Sequence, residues 1–190
     1  MKLHSPDVLV TDSNEALTYL KEGNARFVSG NTAPRDPKAG VAATSGGQKP
    51  FAAIITCADS RTSPELYFDQ QIGDIFVLRN AGNVADKSVL GSLEFAVEHL
   101  KVSLIVVVGH TKCGAVNTSY SGATGLAENL QAVLDGIRPN LAGAANEDEA
   151  TVANAKKQAE VIGQNAVVKQ FNIPVHAAKY CLDTGAVTFV

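Results

Sequence analysis

The chain has 190 residues, a formal net charge of −3 and no basic tail, which argues against nucleic acid as its main partner. Hydrophobic residues make up 45% and charged residues 18%, a globular balance that excludes disorder and suits a single domain, 1–190, with a sizeable core. No apolar run reaches the roughly 18 residues needed to span a bilayer, and the opening MKLHSPDVLVTDS lacks the charged start and long apolar centre of a secretory signal, so a cytoplasmic location is expected.

Residues 12–29 follow a helical period through Leu17, Leu20, Ala25 and Phe27, with Asp12 or Ser13 as cap and Gly30 as stop. This segment reads as an N-terminal helical arm. Residues 30–50 are rich in Gly, Pro, Thr, Ser and Lys without periodicity and read as an extended surface segment. Strands follow at 51–57 (FAAIITC) and 75–80 (IFVLRN), then a helix at 86–100 and a very apolar strand at 103–110 (SLIVVVGH). Helical segments are expected at about 113–121, 126–137 and 150–170, with a small acidic loop at 142–150. Two closing strands, 174–182 and 186–190, flank a hairpin turn at Asp183, Thr184 and Gly185. Strands alternating with helices point to an α/β fold with a mostly parallel central sheet flanked by helices.

In such sheets ligands bind outside the carboxyl ends of the strands. Two of those ends carry unusual residues. The first strand runs through Cys57 into Asp59 and Arg61; the third ends in His110, followed by Thr111, Lys112 and Cys113. His-x-x-Cys at a strand-to-helix turn can present both side chains to one point. With Cys57 from a neighbouring strand this makes two thiols and one imidazole, a known catalytic zinc set that leaves a fourth position open. Two thiolates neutralise a dication, so a water there is less acidic than in an all-histidine site and needs help; a carboxylate held ionised by a guanidinium can orient it. Each element alone has a blander reading: a buried cysteine filling space, a structural histidine, a surface ion pair. The three cysteines, with no C-x-x-C pair, make a poor disulfide framework. Cys181 reads as core filling, and His4, His99 and His176 as structural or exposed. Glu65, after Pro64, suits the first turn of a following helix.

At these residues the chain resembles the β-class carbonic anhydrases. CADSR at 57–61 and GHTKCGA at 109–115 match that family's two signature blocks, in order and about fifty residues apart. GDIFVLRNAGN (73–83), GNARFVSG (23–30) and VHAAKYCLDTGAVTFV (175–190) resemble further family segments. The resemblance implies one zinc ion held by Cys57, His110 and Cys113, and reversible hydration of carbon dioxide to bicarbonate and a proton. It implies that Asp59 and Arg61 form the family's dyad, in which Asp59 either orients a zinc-bound water or swings onto the metal and closes the site. Gln71 stands where some members carry a substrate-contacting glutamine. The family also implies a homodimer or larger homo-oligomer.

Rival readings are a zinc hydrolase of the same scaffold acting on carbon disulfide or carbonyl sulfide, and a non-catalytic zinc protein in which Asp59 completes a closed site. A nucleotide-binding role is disfavoured, since the chain has neither G-x-x-x-x-G-K-[ST] nor a Gly-rich turn after the first strand.

Overall fold

The computed structural model describes residue 4 and residues 8–190. Strands β1 (Ala52–Cys57), β2 (Ile75–Asn80), β3 (Leu104–His110) and β4 (Val175–Tyr180) run parallel, and β5 (Val187–Phe189) pairs antiparallel with β4. The sheet order is β2-β1-β3-β4-β5. β1 and β3 are buried along their whole length, as central parallel strands covered on both faces must be.

Alternation along these strands sorts side chains into two layers. Ala52, Ile54, Leu104, Val106 and Val108 pack with Ala16, Tyr19 and Leu20 of α1 (Ser13–Ser29) and with Tyr67 of α3 (Pro64–Tyr67). Ala53, Ile55, Ile105 and Val107 pack with α4 (Lys87–Glu98), α7 (Glu147–Gly163) and α8 (Ala166–Gln170). A slip of one residue would exchange the two sets, so the apolar pattern sets the register. A third cluster caps the carboxyl end of the sheet. It joins Cys57 and Cys113 to Val116 of α5 (Gly114–Tyr120), Leu134 of α6 (Glu128–Asp135), Ile137, Leu141 and Ala150.

The helix starts follow from short polar caps. Asp12, Asp86 and Asn146 accept backbone N–H groups at the starts of α1, α4 and α7, satisfying donors that have no partner inside the helix. α1 lies close to α3: a Cβ on Gly23 would sit 1.8 Å from the Phe68 carbonyl oxygen. Asp69, whose side chain is wholly buried, ties the end of the arm down through Arg26 at 2.5 Å and Arg35 at 2.9 Å. His4 is also buried and structural; its Nδ1 donates to Asp74 at 2.7 Å and its Nε2 to the Val8 carbonyl at 2.9 Å.

Three expectations need correction. Residues 30–50 are not extended throughout, because Asp36 caps and Pro37 starts a short helix, α2 (Pro37–Thr44). The helix expected at 150–170 is two: α7 begins at Glu147, inside the expected acidic loop, and ends at Gly163 with Gln164 as its cap, while Asn165 caps α8 through Oδ1. Cys181 is not core filling. β4 ends at Tyr180, the chain turns so that the Cys181 N–H donates to the Ala186 carbonyl, and the residue is only half-buried.

Candidate metal centre

Parallel pairing puts the carboxyl ends of β1 and β3 side by side, with Thr56 opposite Val108. Cys57 closes β1 and His110 closes β3. Lys112 adopts a left-handed φ of 57°, which turns the chain back so that Cys113 caps α5. The three ligand atoms of Cys57, His110 and Cys113 lie within 4.8 Å of one another, and all three residues are buried. Among the described residues this is the group of His, Cys and carboxylate side chains placed to share one ion.

The chemistry of the donors fits a cation. His110 Nδ1 contacts the Thr111 carbonyl at 3.0 Å; a carbonyl only accepts, so Nδ1 carries the proton and Nε2 keeps its lone pair. Nε2 is buried without a hydrogen-bond partner, an expensive arrangement unless something electrophilic faces it. Cys57 Sγ and Cys113 Sγ are 3.9 Å apart. The hydrogen bond from Cys113 lowers the Cys57 thiol to about 4, against the effect of burial and with help from His110 and the Gly82 N–H. The same contact, together with burial, pushes the Cys113 thiol up. Two buried thiolates this close repel, so the pair holds one proton until a positive ion takes its place.

Asp59 stands beside this set, with Oδ2 3.9 Å from His110 Nε2. Arg61 donates from Nε to Oδ1 at 2.9 Å and from Nη2 to Oδ2 at 2.6 Å, and its backbone N–H also reaches Oδ1 at 2.9 Å. The Arg61 guanidinium thus holds the Asp59 carboxyl well below the usual carboxylate range. Thr62, fully buried, donates its hydroxyl to the carbonyls of Cys57 and Asp59 at 3.0 and 2.9 Å. Arg79 and Gly82, to which the sequence reading assigned no role, also belong here. Arg79 contacts the loop backbone, and the Gly82 N–H donates to Cys57 Sγ at 3.4 Å. The available signal was an arginine next to the end of an otherwise apolar strand, three residues before a glycine.

Within a single chain, Gln71 is not brought to this site. It precedes β2, whose first residue pairs with Ala52 while Cys57 pairs with Asn80. At about 3.3 Å per residue the strand alone separates Gln71 from the cluster by roughly 17 Å. Its N–H instead donates to Asp74 Oδ2 at 2.7 Å. The neighbouring Gln70 is buried, with its amide on the Phe68 carbonyl.

The parallel sheet and the buried two-thiol, one-imidazole set at its carboxyl edge define an α/β protein equipped to hold one metal ion beside a fixed carboxylate. A family profile described as carbonic anhydrase matches residues 52–187. The chain belongs to the carbonic anhydrase family, and its fold is that of the β-class members. It is 50% identical over 132 residues to carbonic anhydrase 2 of Mycobacterium tuberculosis, a match covering 68% of this chain and 58% of that protein. The chain thus spans little more than half the length of the curated relatives it matches. Among solved structures, the β-carbonic anhydrase CafA of Aspergillus fumigatus matches at 28% identity with a TM-score of 0.72, covering 94% of this chain and 90% of the other. One of two tetrameric β-carbonic anhydrases from Sordaria macrospora matches at 26% identity with a TM-score of 0.69, covering 94% and 93%. No helix among the described residues is long and apolar enough to cross a membrane.

Proposed function

We propose that this chain is a zinc-dependent carbonic anhydrase that interconverts carbon dioxide with bicarbonate and a proton. The observation that carries the reading is the buried Cys57–His110–Cys113 set with a free imidazole lone pair, next to a carboxylate that Arg61 keeps ionised. Zinc bound there would supply a Lewis acid that brings the ionisation of a water toward neutral pH. Cys57 and Cys113 give up their protons to bind it, and Thr111 keeps His110 in the tautomer that presents Nε2. Asp59 accepts a hydrogen bond from the reacting water and so turns the oxygen lone pair toward carbon dioxide. Arg61 keeps that carboxylate from turning onto the ligand set, which favours the open arrangement over a closed, four-ligand one. The apolar cap formed by Val116, Leu134 and Ile137 beside the two cysteines suits a small apolar substrate.

The reading takes residues 1–190 as one domain acting in the cytoplasm as a homodimer or larger homo-oligomer; the tetrameric Sordaria neighbours support the assembly. Metal analysis and a stopped-flow hydration assay on the zinc-loaded protein test the function. Cys57→Ser should lose bound zinc, and Asp59→Asn should keep zinc while losing about tenfold to hundredfold in rate. Full activity in either variant, or no hydration by the zinc-loaded parent, refutes the reading. Turnover of carbon disulfide or carbonyl sulfide without carbon dioxide hydration would give the site to the rival substrate class.

A further inference from the structure

Arg79, on β2, makes two hydrogen bonds that meet the site from behind. Its Nε donates to the Cys57 carbonyl at 3.2 Å and its Nη2 to the Asp59 carbonyl at 2.7 Å. These carbonyls belong to one metal-ligating residue and to the residue whose carboxylate faces the ligand set. Thr62 grips the same pair, but the two clamps differ. A hydroxyl has one proton to share between the two oxygens, whereas the guanidinium presents two N–H groups in one rigid plane and satisfies both together. The sheet anchors that plane, because Arg79 lies opposite Thr56 in the β1–β2 ladder and Asn80 lies opposite Cys57. Arg61 acts elsewhere: it fixes how the Asp59 carboxylate is turned and, apart from a long 3.4 Å contact to the Lys112 carbonyl, leaves the loop backbone alone.

We infer that Arg79 is a positioning residue that sets the separation between the Cys57 sulfur and the Asp59 carboxylate through the main chain of residues 57–59. The inference rests on the reading of Asp59 as the group that orients the reacting water. Arg79 itself acts on the reaction only through Cys57 and Asp59. It is exposed, so replacing it opens no cavity and the effect is read on a folded protein.

The test compares Arg79→Lys and Arg79→Ala with the parent, each loaded with zinc and, separately, with cobalt. Zinc per chain, kcat/KM for hydration and the visible spectrum of the cobalt form are measured. A lysine places one ammonium on a flexible stem where the fork held two nitrogens in a fixed plane, so it does not hold both carbonyls at the fork's spacing. Both variants should keep one zinc per chain and lose about tenfold to hundredfold in kcat/KM. Their cobalt spectra should shift, because the carboxylate facing the ion has moved. Millimolar guanidinium should restore activity to Arg79→Ala and not to Arg79→Lys, whose ammonium fills the slot. A kcat/KM within about twofold of the parent in either variant overturns the inference, as does a loss wholly explained by lower zinc occupancy. Should the zinc-loaded parent fail to hydrate carbon dioxide, the proposed function falls, and the cobalt spectra alone decide on Arg79: unchanged spectra overturn it.

Discussion

Replacing Gly82 by alanine tests how tightly the metal centre is built into the packing. Gly82 sits at φ 72° and ψ 17°, donates its N–H to Cys57 Sγ, and accepts from Asn154 Nδ2 at 2.9 Å. A Cβ here would stand 2.4 Å from Ile137 Cδ1 and 3.3 Å from Ala115 Cβ. Ile137 is 0% exposed, so its methyl group has no open space to move into. The left-handed backbone costs an L-residue about 1–2 kcal/mol, and overpacking a closed core about 1–3 kcal/mol. Gly82→Ala should therefore lose about 2–5 kcal/mol, and zinc affinity should fall as the N–H moves off the Cys57 sulfur. Ile137→Val removes Cδ1 and alone costs about 0.5–1.5 kcal/mol. Placed on Gly82→Ala it should relieve the collision and leave the backbone strain, giving a favourable coupling of about 1–2 kcal/mol. Urea unfolding at fixed protein concentration, with and without zinc, measures all four proteins. A Gly82→Ala loss below about 0.5 kcal/mol, or strict additivity in the double variant, refutes the packing argument.

The remaining predictions concern buried charged groups that pack near the N-terminal arm. Burial opposes the charge on His4, but the Asp74 hydrogen bond and the Val8 carbonyl outweigh it and raise the pKa above the usual 6.5, with Glu15 adding to the attraction. Both ring nitrogens face acceptors, as an imidazolium requires. A raised folded-state pKa gives stability that is fully present below about pH 6.5 and is lost as the pH rises through the folded value. The unfolding midpoint should therefore fall on going alkaline from there, and Asp74→Asn should flatten the slope; identical slopes in the two proteins would contradict this. Asp69→Asn keeps a residue that tolerates the φ of 51° but takes the charge from Arg26 and Arg35. It should lose about 3 kcal/mol in urea unfolding, and a loss below about 1 kcal/mol would show that the buried ion pairs hold nothing.

Much of the fold was legible because its central strands are extreme. A run such as LIVVVGH is long enough, apolar enough and β-branched enough to admit one reading, and its alternation with helices implied parallel order. The errors fell where local chemistry is quiet. α2 has Val41 as its one large aliphatic side chain among alanines and buries none of them, so its only signals were the Asp36 cap and Pro37. The break between α7 and α8 depends on one asparagine side chain replacing the helical bonding pattern. Cys181 looked like core because the run before it is apolar; where the chain turned away from the sheet was decided by the hairpin bonds.

The candidate site divides in the same way. Sequence by itself determined the donor types, their order and their family, because two thiols, an imidazole and an Asp-x-Arg at strand ends are written in contiguous blocks. Only the tertiary structure decided which atoms meet. It placed the sulfurs 3.9 Å apart and left His110 Nε2 facing them without a partner. It gave Asp59 to Arg61, and it put Gln71 at the far end of the sheet. It also brought Arg79 of β2 and Gly82 of the turn that follows it against Cys57 from more than twenty residues away in sequence. The physical reason is that these contacts depend on which strands lie side by side and in what register, and that is settled by burying both faces of the sheet at once.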